Sequence, residues 1–278
     1  MMKTKPTLVA LGAAAILAAS ATDAHAAGHA NGFGEKGELI ISADRLVPLF
    51  GYTRSAVEVS GQLNNNDIRE QSTSSSGMSF LFGRDFSSFD LSDQNGIIQP
   101  VNMHSLPRVA FDVTIINNLT LGAGIAFAFG FGGSFKTERV TGPNTTVTTK
   151  TDAPSSTAIG LSPRVGYILP LGEHFAFWPR AGLSFYSVGY KLETVVGNNT
   201  TIEAKVSDTM FALDLDPQLA ILPTEHFFIT LGPMLNIPFA GNRTTGFTTG
   251  ARTDERDDDI SVLHFGIHAG IGGWLNLF

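Results

Sequence analysis

The few charged residues of this chain keep company with prolines. LPRVAF from 106, SPRVGY from 162 and WPRAGL from 178 place Arg108, Arg164 and Arg180 directly after Pro. DPQLAI from 216 puts Asp216 before the Pro, and GPMLNI from 232 repeats the theme without charge. Asp44, Asp112 and Asp214 are further carboxylates set among apolar residues, and His264 and His268 lie four apart near the C-terminus. Guanidinium and carboxylate groups make strong, often bidentate, hydrogen bonds. Buried singly, each would cost on the order of several kcal/mol, so they are expected to pair. The imidazoles add the chance of general-base or metal chemistry.

A catalytic set needs a nucleophile, a base and an orienting group within hydrogen-bond reach. Four residues along a strand span about 13 Å, which separates His264 from His268 too far for one metal or one dyad. The residues two beyond them, Gly266 and Gly270, offer no hydroxyl. His104, His174 and His226 fall at expected strand ends or turns. Cysteine is absent, which removes thiolate nucleophiles, zinc thiolates and disulfides. The acidic run TDERDDD, 253–259, has the oxygen chemistry of a Ca²⁺ or Mg²⁺ site but not the EF-hand spacing. No catalytic residue, resident metal or cofactor is expected.

The elements that must position these charges are strands. In LTLGAGIAFAFGFGGSF, 119–135, Leu119, Leu121, Ile125, Phe127, Phe129, Phe131 and Phe135 take one phase, while Gly, Ala, Ser and Thr take the other. Strict alternation marks a strand. Eight such segments lie near 38–59, 105–116, 119–135, 156–170, 174–192, 204–222, 226–240 and 259–278. From the second onward one phase is aliphatic or aromatic and free of charge, as in Val109, Phe111, Val113 and Ile115. A charge on a lipid-facing strand costs about 2–4 kcal/mol at the bilayer midplane, so this phase suits lipid. The opposite phase holds small residues together with Arg108, Asp112, Arg164, Arg180, Asp214, Asp216, His264 and His268. Asp44 joins them if its phase is inward.

The connections alternate in length. Asn117-Asn118, Leu171-Gly172-Glu173 and Pro223-Thr224-Glu225 are short; 60–104, 136–155, 193–203 and 241–258 are long and polar. Short turns on one side and long loops on the other are the pattern of an up-and-down transmembrane barrel. Counted from the short turns, Arg164, Arg180 and Asp216 each stand about six residues, or roughly 15 Å, above one end. They are expected at one level of the lumen, as a plug of salt bridges or a polar constriction that gates small solutes. The prolines at 107, 163, 179, 217 and 233 fall in the lipid phase. Proline donates nothing to a ladder, so local breaks are expected there, with Pro163 near Pro179 and Pro217 near Pro233.

Residues 1–26 read as a secretory signal peptide. Lys3 and Lys5 precede the apolar run LVALGAAAILAAS, and Ala24-His25-Ala26 supplies the cleavage motif. Residues 27–278 are expected to form one domain. Charged residues are 15% of the chain, below the usual ~25%, which fits an outer surface largely in lipid. A net charge of −7 argues against nucleic acid as a partner.

With this signal peptide, strand phase, loop asymmetry and C-terminal aromatic residue, the chain resembles the eight-stranded outer-membrane β-barrel proteins with OmpA-, OmpX- and OmpW-like barrels. The resemblance implies an all-β, eight-stranded antiparallel up-and-down transmembrane β-barrel with short periplasmic turns and long extracellular loops, in the outer membrane of a Gram-negative bacterium. It implies that Phe278, ending GIGGWLNLF, is read by the barrel-assembly machinery. The expected role is non-enzymatic, structural or surface-interacting, and carried by the extracellular loops. A narrow channel for small solutes and a membrane-embedded lipid hydrolase are the alternatives. Outer-membrane lipid and lipopolysaccharide are the expected surroundings, and the chain is expected to be a monomer.

Overall fold

In the computed structural model the described residues are 32–63, 66–80, 103–131, 134–142, 145–152, 155–196, 200–249 and 252–277. The signal-peptide region and Phe278 lie outside them. The strands are β1 (Glu38–Leu63), β2 (Asn66–Phe80), β3 (Arg108–Ile116), β4 (Leu119–Gly130), β5 (Ser134–Gly142) and β6 (Thr145–Asp152). They continue with β7 (Ser155–Tyr167), β8 (Leu169–Pro170), β9 (Phe175–Val196), β10 (Thr200–Thr224), β11 (Phe227–Thr249) and β12 (Arg252–Asn276). One 3₁₀ turn, Met103–Ser105, precedes β3.

Eight of these strands close a ring. Antiparallel pairing runs β1–β3–β4–β7–β9–β10–β11–β12 and returns from β12 to β1, with β9–β10 joining the two ends of the open description. Closure leaves no edge strand within the ring, so every backbone group there can be paired inside the protein, as lipid requires. The short turns gather at one end. Asn118 and His226 adopt left-handed φ values of 70° and 65°, which tight two-residue reversals demand. The third tight reversal falls at Glu225-His226, one to two residues later than the sequence suggested, because Thr224 still pairs with Phe227.

At the other end the expected loops are largely strand. The polar stretch NDIREQSTSSSGMSF is β2, paired with the upper half of β1 from Phe50↔Phe80 to Leu63↔Asn66. β5 and β6 form a separate two-stranded hairpin. β9, β10, β11 and β12 run on for 22, 25, 23 and 25 residues. A tilted strand crosses a membrane in about 9–11 residues. Roughly half of each long strand therefore stands clear of the bilayer, and polar composition there reports solvent rather than absence of structure.

The outward phase forms the apolar belt. Phe111, Leu121, Phe127, Ile159, Leu161, Leu183 and Phe211 are 42–59% exposed. Toward the hairpin end the belt becomes aromatic: Phe185–Phe211 and Phe211–Phe239 ring centroids lie 5.0 and 6.2 Å apart. Aromatic girdles of this kind mark the boundary of the hydrocarbon.

Of the breaks expected at the prolines two are present, at Pro163 and at Pro217 with Pro233, whereas Pro107 lies just before β3 and Pro179 sits in an intact β9–β10 register. The β7–β9 ladder is broken between Leu161↔Phe185 and Arg164↔Gly182, and the β10–β11 ladder between Leu215↔Leu235 and Leu219↔Leu231. Pro217 and Pro233 face each other inside that second gap. Pro163, however, does not meet Pro179; Pro179 pairs with Pro217 on β10, because β9 and β10 hold an unbroken register.

Candidate functional site

The lumen is filled in storeys. At the turn end Phe33, from the segment before β1, is fully buried among Trp178, Phe228 and Trp274, at ring-centroid distances of 5.7, 5.3 and 5.0 Å. Ile40, Ile168, Ala176, Ala220 and Leu222 complete this apolar base. Backbone bonds tie the segment down: Asn118 N–H donates to Gly34 O at 2.7 Å and Gly37 N–H to Thr114 O at 2.8 Å. Gly34 N–H donates to the Glu38 carboxylate at 2.7 Å. Phe33 lies before the first strand, so periodicity carried no sign of it.

Above the base sits the charge layer. Arg180 lies over the Trp178 ring, 4.6 Å from its centroid, and so joins the two storeys. Arg108 donates to Asp44 at 3.3 Å, to Asp214 at 3.3 Å and to Asp216 at 3.2 Å. Arg180 donates to Asp44 at 3.2 Å and to Asp216 at 2.6 Å. Arg164 grips Asp112 through Nε at 2.8 Å and through Nη2, and reaches Asp44 through Nη1. Asp44 is inward and central, accepting from three guanidiniums. Ser184 and Asn236 donate to Asp214, and Gln218 to Asp216. The six Arg and Asp residues singled out in the lumen phase, with Asp44, therefore share one connected network.

One member was missed. Arg45 follows the inward Asp44, so simple alternation aims it at lipid. A register shift between Ala43 and Val47 opens a bulge in β1, and Arg45 takes a left-handed φ of 57°. Both neighbours then point inward and Leu46 outward. Arg45 donates to Asp214 at 3.3 Å, to Tyr186 Oη at 3.1 Å and to His104 O at 2.9 Å. The sequence held a signal for this: a strict phase would leave an arginine on the lipid face, which the bulge avoids. With Arg45 the layer holds four Arg (45, 108, 164, 180) and four Asp (44, 112, 214, 216), a balance of zero.

The histidines stand on this layer, and here one expectation is corrected. His264 and His268 are not kept apart by their spacing: their Nε2 atoms approach to 3.5 Å. Gly266 lies between them, and a Cβ there would sit 2.4 Å from His268 Nε2 and 2.9 Å from His264 Nε2. The imidazoles lean toward each other over the missing side chain. His264 Nδ1 meets Thr53 Oγ1 at 3.0 Å, and its other face stacks on His104 at 6.2 Å and 18°. His104 belongs to the Met103–Ser105 turn, inside the barrel, and not to an interfacial strand end.

The next storey is apolar: Met103, Leu106, Ala126, Ala158, Tyr186, Val188, Met210 and Val262. Higher still, Arg243 clamps Asp208 with two bonds of 2.7 Å, and Arg256 donates to Asp258 at 2.8 Å. The void lined by Arg108, Arg164, Arg180, Asp214 and Asp216 is about 10 Å³, at the lower limit of what one water occupies. On the outer wall, past the aromatic girdle, a groove of about 490 Å³ lies among Thr157, Lys191, Lys205, Ser207, Thr244 and Glu255. Hydrogen bonds from Lys205 and Lys191 hold the nearby Glu203 carboxyl below its usual range. No group of three metal-ligating side chains is found among the described residues.

A closed ring of eight antiparallel strands, apolar outside and charged inside, defines a membrane-spanning β-barrel. No family model matches the chain, and no curated protein is similar to it in sequence. Among solved structures it is similar to Ail, the attachment invasion locus protein of Yersinia pestis, at 14% identity and TM-score 0.32 over 87% of this chain and 100% of that one. It is also similar to the outer membrane protein OprG from Pseudomonas aeruginosa (9%, TM-score 0.40, 86% and 96%). The outer membrane protease OmpT from Escherichia coli is a third (8%, TM-score 0.36, 86% and 97%). These likenesses are too distant to assign a role; the class rests on the ring of pairings and the apolar belt.

Proposed function

We propose that this protein is an integral outer-membrane β-barrel, non-enzymatic and closed through its lumen, whose role is carried by the strands and loops that rise above the membrane. The observation that supports this reading is the filled interior: an aromatic base, a balanced charge layer and an apolar storey lie in series, and the void among Arg108, Arg164, Arg180, Asp214 and Asp216 is about 10 Å³. Outer-leaflet lipopolysaccharide surrounds the girdle and the hydroxyl- and lysine-lined groove above it. The barrel-assembly machinery reads the C-terminal strand. A monomer is the simplest working form, and a ring that closes within one chain supports it.

Two measurements test this. Membrane fractionation with unboiled and boiled gel samples is expected to show a heat-dependent migration shift in the outer-membrane fraction; a soluble pool without a shift overturns the membrane reading. Planar bilayers holding refolded protein are expected to stay silent at neutral pH. Steady unitary currents from the wild type would overturn the closed lumen in favour of the narrow channel. A hydrolase would need a nucleophile that substrate can reach; the hydroxyl beside these histidines, Thr53 Oγ1 at 3.0 Å from His264 Nδ1, is buried in the lumen.

A further inference from the structure

We propose that His104, His264 and His268 form a proton-operated latch that holds the Met103–Ser105 turn inside the barrel and releases it when they take up protons. The inference rests on the closed-lumen reading and goes beyond it. The turn is the last part of the first long connection before β3, and contacts to several strands hold it. Arg45 Nη1 donates to the His104 carbonyl, and the His104 ring is wedged between Tyr186, edge-on at 5.1 Å, and His264, face-on at 6.2 Å. Met103 anchors it in the apolar storey.

The wedge tolerates neutral imidazoles only. A contact of 3.5 Å between His264 Nε2 and His268 Nε2 works when one nitrogen donates and the other accepts. A proton on the accepting nitrogen sets two N–H groups against each other. A proton on His104 or His264 places charge in a parallel stack, and charging both stacks two cations. From β12 the Val262 backbone accepts a hydrogen bond from the His104 ring, and the other groups around the imidazoles are cationic, neutral or already engaged. From β1 the imidazoles face Arg45 and the hydroxyl of Thr53; from β3, Arg108; from β9, Tyr186; from β11, Asn236, which pairs in register with His264. The carboxylates of β10 are already engaged: Asp214 accepts from Arg45, Arg108, Ser184 and Asn236, and Asp216 from Arg108, Arg180 and Gln218. Added positive charge meets two guanidiniums in a layer already balanced at zero. The strain is relieved when the turn leaves and water reaches the imidazoles.

The chain has no cysteine, so Met103→Cys provides a single reporter. Its maleimide labelling in lipid vesicles is measured from about pH 7.5 to about pH 5, across the ordinary histidine range. Rates are divided by those of Phe131→Cys, whose position is 92% exposed, to cancel the thiol's own pH response. The ratio is expected to stay level above about pH 6.5, the ordinary imidazole value, and below it to rise by up to about tenfold per pH unit for each proton linked to release. In Met103→Cys carrying His104→Gln, His264→Gln and His268→Gln the ratio is expected to stay flat; if that triple variant loses its heat-dependent gel shift, His268→Gln alone is expected to give a shallower rise. A flat ratio in the histidine-containing protein overturns the latch. So does an acid rise whose slope the glutamine substitutions leave unchanged. Neutral-pH bilayer currents bear on the closed lumen alone, so the two readings fail separately.

Discussion

At the scale of single residues, the lumen shows how charge can be buried without a ligand. Every guanidinium of the central layer meets at least one carboxylate, and Asp44 meets three guanidiniums. The upper pair Asp208–Arg243 is simpler, bidentate and 3–6% exposed at the side chains. Breaking one partner of such a pair strands a buried charge. Arg243→Met is expected to destabilise the barrel by about 3–5 kcal/mol, whereas Arg243→Met with Asp208→Leu is expected to recover most of that loss. Urea titration of the heat-shifted gel band in vesicles measures both; equal losses in the single and double variants would show that the stranded Asp208 carboxylate is not the source of the cost. The residues of the central layer were legible because alternation sorts inward from outward along regular strands. Arg45 was not, because its bulge changes the phase within one residue. Asp208 shares the even-numbered phase of Asp214 and Asp216, so it was readable, but its partner Arg243 lies where the sequence suggested a loop. Phe33 carries no periodic signal at all.

At the scale of elements, glycines decide how closely strands and their contents approach. On β9, a Cβ at Gly182 would lie 2.3 Å from the Pro163 carbonyl, where the ladder is interrupted, while a Cβ at Gly189 would meet nothing within 4 Å. One strand thus supplies its own control. Gly182→Ala is expected to cost about 1–3 kcal/mol through forced backbone shift, and Gly189→Ala close to nothing. The same urea titration checks this, and similar midpoints for the two variants would show that the wall yields at Pro163. The strands of the membrane belt were legible in outline because lipid enforces a two-residue period on one face. Above the girdle that constraint ends. β2, the β5–β6 hairpin and the upper halves of β9–β12 are held by backbone pairing along stretches of polar sequence. Composition there reads as loop although the chain is extended and paired.

At the scale of the whole molecule, the barrel is uneven in height. β3, β4 and β7 have 9, 12 and 13 residues, while β1 and β9–β12 have 22–26. At about 3.3 Å per residue the long strands extend roughly 30–55 Å along their length beyond the short ones. A 22–26-residue strand cannot be hidden within a bilayer that about 10 residues cross, so the tall side stands clear of it. The tall side is expected to face the cell exterior, and the turn end the periplasm. In this cysteine-free chain, Lys205→Cys on the tall wall, where the side chain is 67% exposed, is expected to react with a membrane-impermeant maleimide on intact cells. Glu173→Cys, in the exposed short turn before β9, is expected to react only after the outer membrane is opened. Reaction of Glu173→Cys first would invert the barrel and move the groove, the hairpins and the Met103–Ser105 turn to the periplasmic side. Protection of both cysteines until lysis would place the whole chain behind the membrane and remove the surface role altogether.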